Sequence, residues 1–182
     1  MPFTVKKLNI PEVLLIEPKV FPDARGYFAE MYKHTDFSEF GITKPIAQIN
    51  YSKSEKGVLR GMHYQMNPMA QGKMMQVISG EIFDVAVDMR KGSPWYGKWV
   101  GEALSIDNLK ILYIPEGFAH GFCVLSDTAT ITYYCTSAYS PENERGFIWN
   151  DPELKIDWPV KSPIVSVRDS KFPLFRIADN NF

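Results

Sequence analysis

Short runs of apolar or alternating residues, closed by Gly, Pro, Asn or Asp, recur along the chain and constrain its fold more than any other feature. They are VLLIEPKVF, IAQINYS, VLRGMHY, MMQVISGEIFDVAVDM, KWVGEALS, KILYIP, FAHGFCVLS and TATITYYCTSAY. This pattern predicts the strands of an all-β sandwich or barrel. Helix is expected only as short pieces, the clearest being HTDFSEFG, with Thr35 or Asp36 as the cap and Gly41 as the stop. The C-terminal third, dense in Pro and acidic residues, predicts loops and single turns wrapped around the β core. No repeat, low-complexity tract or Ser/Gly linker divides the chain, so residues 1–182 read as one domain. With 45% apolar and 14% aromatic residues it has ample material for a core.

Charge narrows the partners. Lys and Arg total 20 against 21 Asp and Glu, and the cations are scattered, so no footprint for nucleic acid exists. The N-terminus lacks a basic segment followed by a long apolar one, and no later run approaches the length of a membrane span. A protein of the cytoplasm is expected, with no membrane partner. Cys123 and Cys135 each sit in an apolar strand-like run without a C-x-x-C partner, and read as buried thiols.

Strand parity assigns faces, since successive side chains point to opposite sides. Ala129, Ile131, Tyr133 and Cys135 share one face, so Tyr133 points inward. His120 goes with Phe118, Phe122 and Val124, again an interior set. Gln48 and Asn50 share a face and present two adjacent amides. In LRGMHYQ, Arg60 and His63 have opposite parity, and a bulge at Gly61 would bring them to one side. Singly, each group has an ordinary explanation: His120 as a core histidine, Tyr133 as core, Lys73 as a solvated hairpin residue, Arg60 in a structural ion pair. Asp84, a carboxylate in an apolar strand, requires a partner. Gathered in one interior, these groups would be expensive as mere core, because buried charges need partners.

PEGFAHGF and GMHYQ are similar to the two motifs of the cupin superfamily, in which a His-x-His, a Glu and a further His bind a metal. Here Gln65 follows His63 where a second His would stand, leaving fewer strong ligands than a catalytic metal requires. LRGMHYQ, QGKMMQVISGEIFDVAVDMRKGSPWYGKW, YIPEGFAHGFCVLSD, YYCTSAYSPENERGFIWNDP and IDWP, with DARGYFAE before them, resemble the dTDP-4-dehydrorhamnose 3,5-epimerase family from about Leu15 to Asp169.

That resemblance implies a cupin-type jelly roll (a double-stranded β-helix) without metal or other cofactor, usually a homodimer. It implies conversion of dTDP-4-dehydro-6-deoxy-D-glucose to dTDP-4-dehydro-L-rhamnose. By motif, His63 matches the family's general base, Asp169 the residue that orients it, and Tyr133 the general acid. Tyr139 matches a residue that stacks on thymine. Arg25, Glu30, Gln48, Asn50, Arg60, Lys73, His120, Glu144 and Arg168 match substrate contacts. Arg168 stands where many relatives have Lys, and a planar guanidinium contacts substrate differently from an ammonium.

The residue chemistry agrees. C3 and C5 both flank the 4-ketone, so one mechanism serves both: remove the α-proton, hold the enolate at O4, and return a proton to the other face. His63 is a suitable base, Lys73 with Arg60 compensates the oxyanion, and Tyr133 supplies the proton. One hairpin is expected to carry Arg60, His63 and Lys73 together. Rivals from the same sequence are an epimerase of C3 alone or C5 alone on a related 4-keto sugar, a non-catalytic nucleotide-sugar-binding cupin, and a metal-dependent cupin isomerase or dioxygenase.

Overall fold

A computed structural model describes residues 2–182. Its strands are β1 Phe3–Lys7, β2 Leu14–Pro18, β3 Val20–Asp23, β4 Gly26–Ala29, β5 Gln48–Glu55, β6 Val58–Gln65 and β7 Lys73–Ser79. They continue as β8 Glu81–Asp88, β9 Trp99–Ser105, β10 Ile111–Ile114, β11 Phe118–Val124, β12 Thr128–Cys135, β13 Glu144–Gly146 and β14 Ile164–Val165. One sheet runs β1-β2-β10-β7-β12-β5; the other runs β13-β6-β11-β8-β9, with β14 added beside β6. The hairpin β3–β4 stands apart as its own two-stranded sheet. The result is the all-β sandwich that the short runs predicted, in the jelly-roll form that the family resemblance implied.

The inner faces meet in a core that includes Leu15, Met75, Val77, Ile82, Ala86, Leu112, Phe118, Phe122 and Ile131. Each outer face is covered too. Helix α1, His34–Glu39, lays Phe37 with Ile42 against Leu14, Ile16 and Met74 of the first sheet. The C-terminal third covers the second sheet, packing Phe147, Leu154, Trp158 and Phe175 onto Val85, Val87, Ala119 and Cys123. Apart from β13 and β14 it consists of turns and two single-turn 3-10 helices, Asp169–Lys171 and Phe175–Ile177. Cys123 and Cys135 are free and buried.

Two local readings change. The N-cap of α1 is Lys33, with no side-chain cap bond. Thr35 and Asp36 lie inside the first turn, where Asp36 is buried and paired with Lys33 at 3.3 Å. Gly41, with φ +89°, ends the helix in the left-handed conformation as expected. The hairpin reading also fails. β6 and β7 belong to different sheets, so residues 66–72 carry the chain across the sandwich, and Lys73 faces Arg60 and His63 from the opposite wall. Alternation within a strand reveals its inner face but not which sheet it joins.

The bulge at Gly61 is present. On β11, His120 and Phe122 are two residues apart, yet their partners on β6, His63 and Arg60, are three apart. The extra residue reverses the alternation. Leu59, Met62 and Tyr64 turn to the outer apolar layer, while Arg60 and His63 both line the inner cavity. Gly61 has φ +135°, and a Cβ there would lie 2.6 Å from the Gly121 Cα, so only glycine allows β6 and β11 to approach.

Candidate active site

At one end of the sandwich the core gives way to a cavity of about 320 Å³. The second sheet contributes Arg60 and His63 from β6, His120 from β11 and Glu144 from β13. The first contributes Lys73 from β7 and Tyr133 from β12, with Ser52 of β5. A connected space reaches Gln48 and Asn50 of β5, whose parity sets them on the face opposite the exposed Ile49 and Tyr51.

His63 is held from far along the chain. Its Nε2 lies 2.9 Å from Asp169 Oδ1, and the other Asp169 oxygen accepts the Gly61 N–H at 3.1 Å. Ser166 Oγ accepts the Asp169 N–H at 3.0 Å, and Phe172 packs edge-on to the imidazole at 5.6 Å. Burial raises the Asp169 pKa, but the bonds from His63, Gly61 and Ser166 outweigh it and hold the carboxyl below its usual range. An ionised Asp169 accepts from Nε2–H, which leaves Nδ1 as the basic nitrogen. His63 keeps 27% of its side-chain surface open, while Asp169 is buried.

The opposite wall is drier. Burial pushes the Lys73 ammonium below its ordinary pKa, opposed by Cys135, Glu144 and Asp84. The Tyr133 phenol is pushed up by burial and by Cys135 and Glu144, with Arg60 pulling the other way, so it stays protonated at neutral pH. The two amides form a chain: Gln48 Nε2 donates to Asn50 Oδ1 at 2.7 Å, and Asn50 Nδ2 points at Cys135 Sγ at 3.7 Å. Gln48 Oε1 accepts the Tyr139 N–H at 2.8 Å and thereby fixes the loop after β12.

The mouth is spanned by a short network. Tyr139 OH donates to Glu144 Oε2 at 2.7 Å, and Arg168 Nη2 pairs with the same oxygen. Burial raises the Glu144 pKa, yet Tyr139 and Arg168 overcome it and keep the carboxyl low. The Arg168 guanidinium also lies 5.6 Å over the Phe172 ring, a contact suited to a planar cation.

Most residues expected from sequence thus meet in one place: Gln48, Asn50, Arg60, His63, Lys73, His120, Tyr133, Tyr139, Glu144, Arg168 and, behind His63, Asp169. Arg25 and Glu30 do not. Arg25 lies in the β3–β4 turn with its side chain 89% exposed and paired to Asp23 at 2.6 Å; Glu30 follows β4; neither lines the cavity. Sequence reading also passed over several supports. Ser54 accepts from Arg60 Nε at 3.0 Å. Gln65, standing where metal cupins place a ligand, is committed to backbone, donating to Met69 O and Ala138 O and accepting from Ser140 N–H. Among the described residues no group of His, Cys, Asp and Glu gathers with the geometry of a metal site. Asp84, expected from its apolar strand to need a partner in this interior, finds it in His120.

A jelly roll with a carboxylate-backed imidazole on one wall and a phenol and partly buried ammonium on the other has the layout of an acid–base isomerase acting beside a carbonyl. The comparisons are narrower. Residues 7–176 match the family model described as dTDP-4-dehydrorhamnose 3,5-epimerase. The dTDP-4-dehydrorhamnose 3,5-epimerase of Shigella flexneri is 52% identical, covering 96% of this chain and 97% of its own length. That of Pseudomonas aeruginosa is 51% identical, over 95% and 96%. Among solved structures, the dTDP-6-deoxy-D-glucose-3,5-epimerase of Legionella pneumophila in complex with dTDP-4-keto-L-rhamnose superposes with a TM-score of 0.93. It is 45% identical, covering 96% of this chain and 94% of that one. A 3'-monoepimerase from Streptomyces bikiniensis in complex with dTDP-quinovose superposes with a TM-score of 0.87 at 34% identity, over 93% and 86%. The chain belongs to the dTDP-4-dehydrorhamnose 3,5-epimerase family.

Proposed function

We propose that the protein converts dTDP-4-dehydro-6-deoxy-D-glucose to dTDP-4-dehydro-L-rhamnose by moving protons at C3 and C5, acting as one domain over residues 1–182 in the cytoplasm. The observation that carries this reading is the placement of His63 and Tyr133 on opposite walls of one cavity. Inversion beside a ketone needs a base on one face and an acid on the other.

His63, polarised by Asp169, takes the α-proton through Nδ1. Charge then develops on O4, where Lys73 and Arg60 face it from the two sheets. In a site screened from water such pre-placed cations cost no reorganisation and are worth far more than in solution. Tyr133, kept protonated by burial, returns a proton from the far wall; His63 then gives its proton to solvent at its open edge and the Tyr133 phenolate regains one from solvent, which resets both groups. In the D-gluco ring the hydrogens on C3 and C5 are axial on the same face, so His63 serves both α-carbons from one wall and Tyr133 both from the other, with only a shift of the sugar between the two steps. Gln48, Asn50, His120, Glu144 and Arg168 orient the substrate, with Tyr139, whose ring is half exposed at the mouth, as the stacking surface for the base. Neither metal nor redox cofactor enters this scheme.

Arg25 and Glu30 then act from a second copy of the chain. Their hairpin exposes Phe21, Tyr27 and Phe28, and the edge strand β5 exposes Ile49 and Tyr51, a combination suited to a homodimer in which each hairpin reaches its partner's cavity.

The Streptomyces bikiniensis monoepimerase, so similar in fold, keeps a single-centre reaction in view. NMR of dTDP-4-dehydro-6-deoxyglucose incubated with the protein in deuterated water separates the two. Deuterium at both C3 and C5 is expected; label at C3 alone would assign a monoepimerase, and no label would remove the catalytic reading.

A further inference from the structure

The scheme above leaves without a task a buried carboxylate bonded to a residue of the cavity wall. Asp84 sits in mid-strand on β8 with 0% of its surface exposed. Ile82 and Ala86, two residues to either side, belong to the inner core, so its side chain points the same way. One oxygen, Oδ1, lies 2.6 Å from His120 Nε2. The other, Oδ2, has no hydrogen-bond partner among the described residues. A half-satisfied carboxylate in a dry sheet is costly, and apolar residues of similar volume would serve the core better.

His120 is the cross-strand partner of His63, so two imidazole–carboxylate pairs stand side by side on β6 and β11. They differ in setting. His63 is open to the cavity and its carboxylate is fully bonded; His120 is buried and its carboxylate is not. Burial lowers the His120 pKa against the pull of Asp84, so the ring is neutral and does not cancel the Asp84 charge.

Lys73 supplies the opposite charge. It is partly buried on the facing sheet, pairs with no carboxylate, and is surrounded by Tyr133 and Cys135 of β12, Glu144 of β13, Asp84 of β8 and the two histidines. Glu144 is already bound to Arg168 and Tyr139, and burial keeps the Cys135 thiol protonated. Asp84 is the interior anion left over.

We propose that Asp84 is a positioning residue for the epimerisation, pinning His120 as its Nε2–H tautomer and serving as the interior counter-charge of Lys73. It touches no reacting atom. Through His120 it leaves Nδ1 as an acceptor for a sugar hydroxyl, and through the field across the sandwich it keeps the ammonium charged where the enolate forms. The role rests on the epimerase reading, but half of its test does not.

The experiment uses full-length protein and Asp84→Asn. In the ligand-free proteins, long-range ¹H–¹⁵N spectra report the His120 tautomer: Nε2–H is expected in the wild type, and a mixture or Nδ1–H in the variant, because an amide can donate to the ring. With dTDP-4-dehydro-6-deoxyglucose, kcat is expected to fall roughly 10²-fold with little change in KM, the scale for loss of one oxyanion-stabilising element. Asp84 raises the Lys73 pKa, so without it Lys73 loses its proton sooner and the alkaline limb of the pH–rate profile moves to lower pH. An unchanged tautomer and an unchanged alkaline limb, with activity reduced only by the unfolded fraction, would make Asp84 a packing residue. Should Asp84→Asn fail to fold, Lys73→Arg keeps its charge at high pH. Its alkaline limb should then move up to that of the Tyr133 phenol, and a limb that stays put means that Lys73 does not set it, which removes the counter-charge role of Asp84. If wild-type protein exchanges no deuterium into the sugar, the epimerase reading falls, while the tautomer comparison still decides whether Asp84 sets His120.

Discussion

The two walls of the cavity solve opposite problems. On the wall built from β6, β11 and β13, the functional groups are held by explicit bonds: His63 to Asp169, Arg60 to Ser54, Glu144 to Tyr139 and Arg168. On the wall built from β5, β7 and β12, Lys73 and Tyr133 are tuned mainly by being dry, one pushed down and the other up. Geometry governs the base and desolvation governs the acid and the cation. A base has to swing between two protonation states and benefits from a fixed partner, whereas an acid that must stay protonated until the enolate appears needs only exclusion of water.

The largest effect should come from the bonded wall. His63→Ala is expected to abolish deuterium exchange at C3 and C5 together, by roughly 10³-fold or more, with substrate affinity little changed. Residual exchange near the wild-type rate would move the base elsewhere. On the dry wall, Tyr133→Phe should lower net inversion by about 10²-fold while exchange persists, because His63 returns a solvent-derived proton to the face it came from. Deuterium wash-in and product formation measured on one sample give the ratio, and an unchanged ratio would reduce Tyr133 to core packing.

A third test asks whether the cavity formed by the two walls is completed by the hairpin of a second protomer. Arg25→Ala and His63→Ala should each be nearly inactive as homodimers. Mixed and reassembled, they should recover about a quarter of wild-type activity, since half the dimers are mixed and one site in each is intact. No recovery, with dimers confirmed by sedimentation, would confine the site to a single chain.

The smallest effect concerns stability. Asp169 has a folded-state pKa below its unfolded value, so its contribution is full above the unfolded pKa and is lost as pH falls through the folded one. Denaturant midpoints measured from pH 6 downward should therefore fall less steeply for Asp169→Asn than for wild type, in the range below about pH 4 where the carboxyl titrates. Parallel curves would mean the pair contributes orientation without stability.

The same contrast explains what could be read from sequence. Inner faces followed from alternation alone, which is why Tyr133, His120 and the Gln48–Asn50 pair fell where expected. Even the Gly61 bulge was legible, because Arg60 and His63 conflict in parity. Partnerships across the sandwich were not. Nothing local says that residues 66–72 carry the chain from one sheet to the other, or that Asp84 meets His120 across 36 positions. His63 and Asp169 are 106 positions apart and were joined only through resemblance to a family. The same carry-over placed Arg25 among substrate contacts, although within this chain it is a surface residue of a hairpin.

The reversal of alternation at Gly61 also sets which genetic changes β6 tolerates. Loss of a single codon there would leave every neighbouring residue type intact and still re-phase the strand. Either His63 would rotate into the greasy outer layer while Met62 and Tyr64 took its place at the cavity, or Arg60 would leave. Substitution keeps the phase but meets the Gly121 backbone at 2.6 Å. The segment is closed to both point change and deletion, so lineages altering this site are expected to do so on the opposite wall, where a side chain can change without shifting the reading of inside and outside.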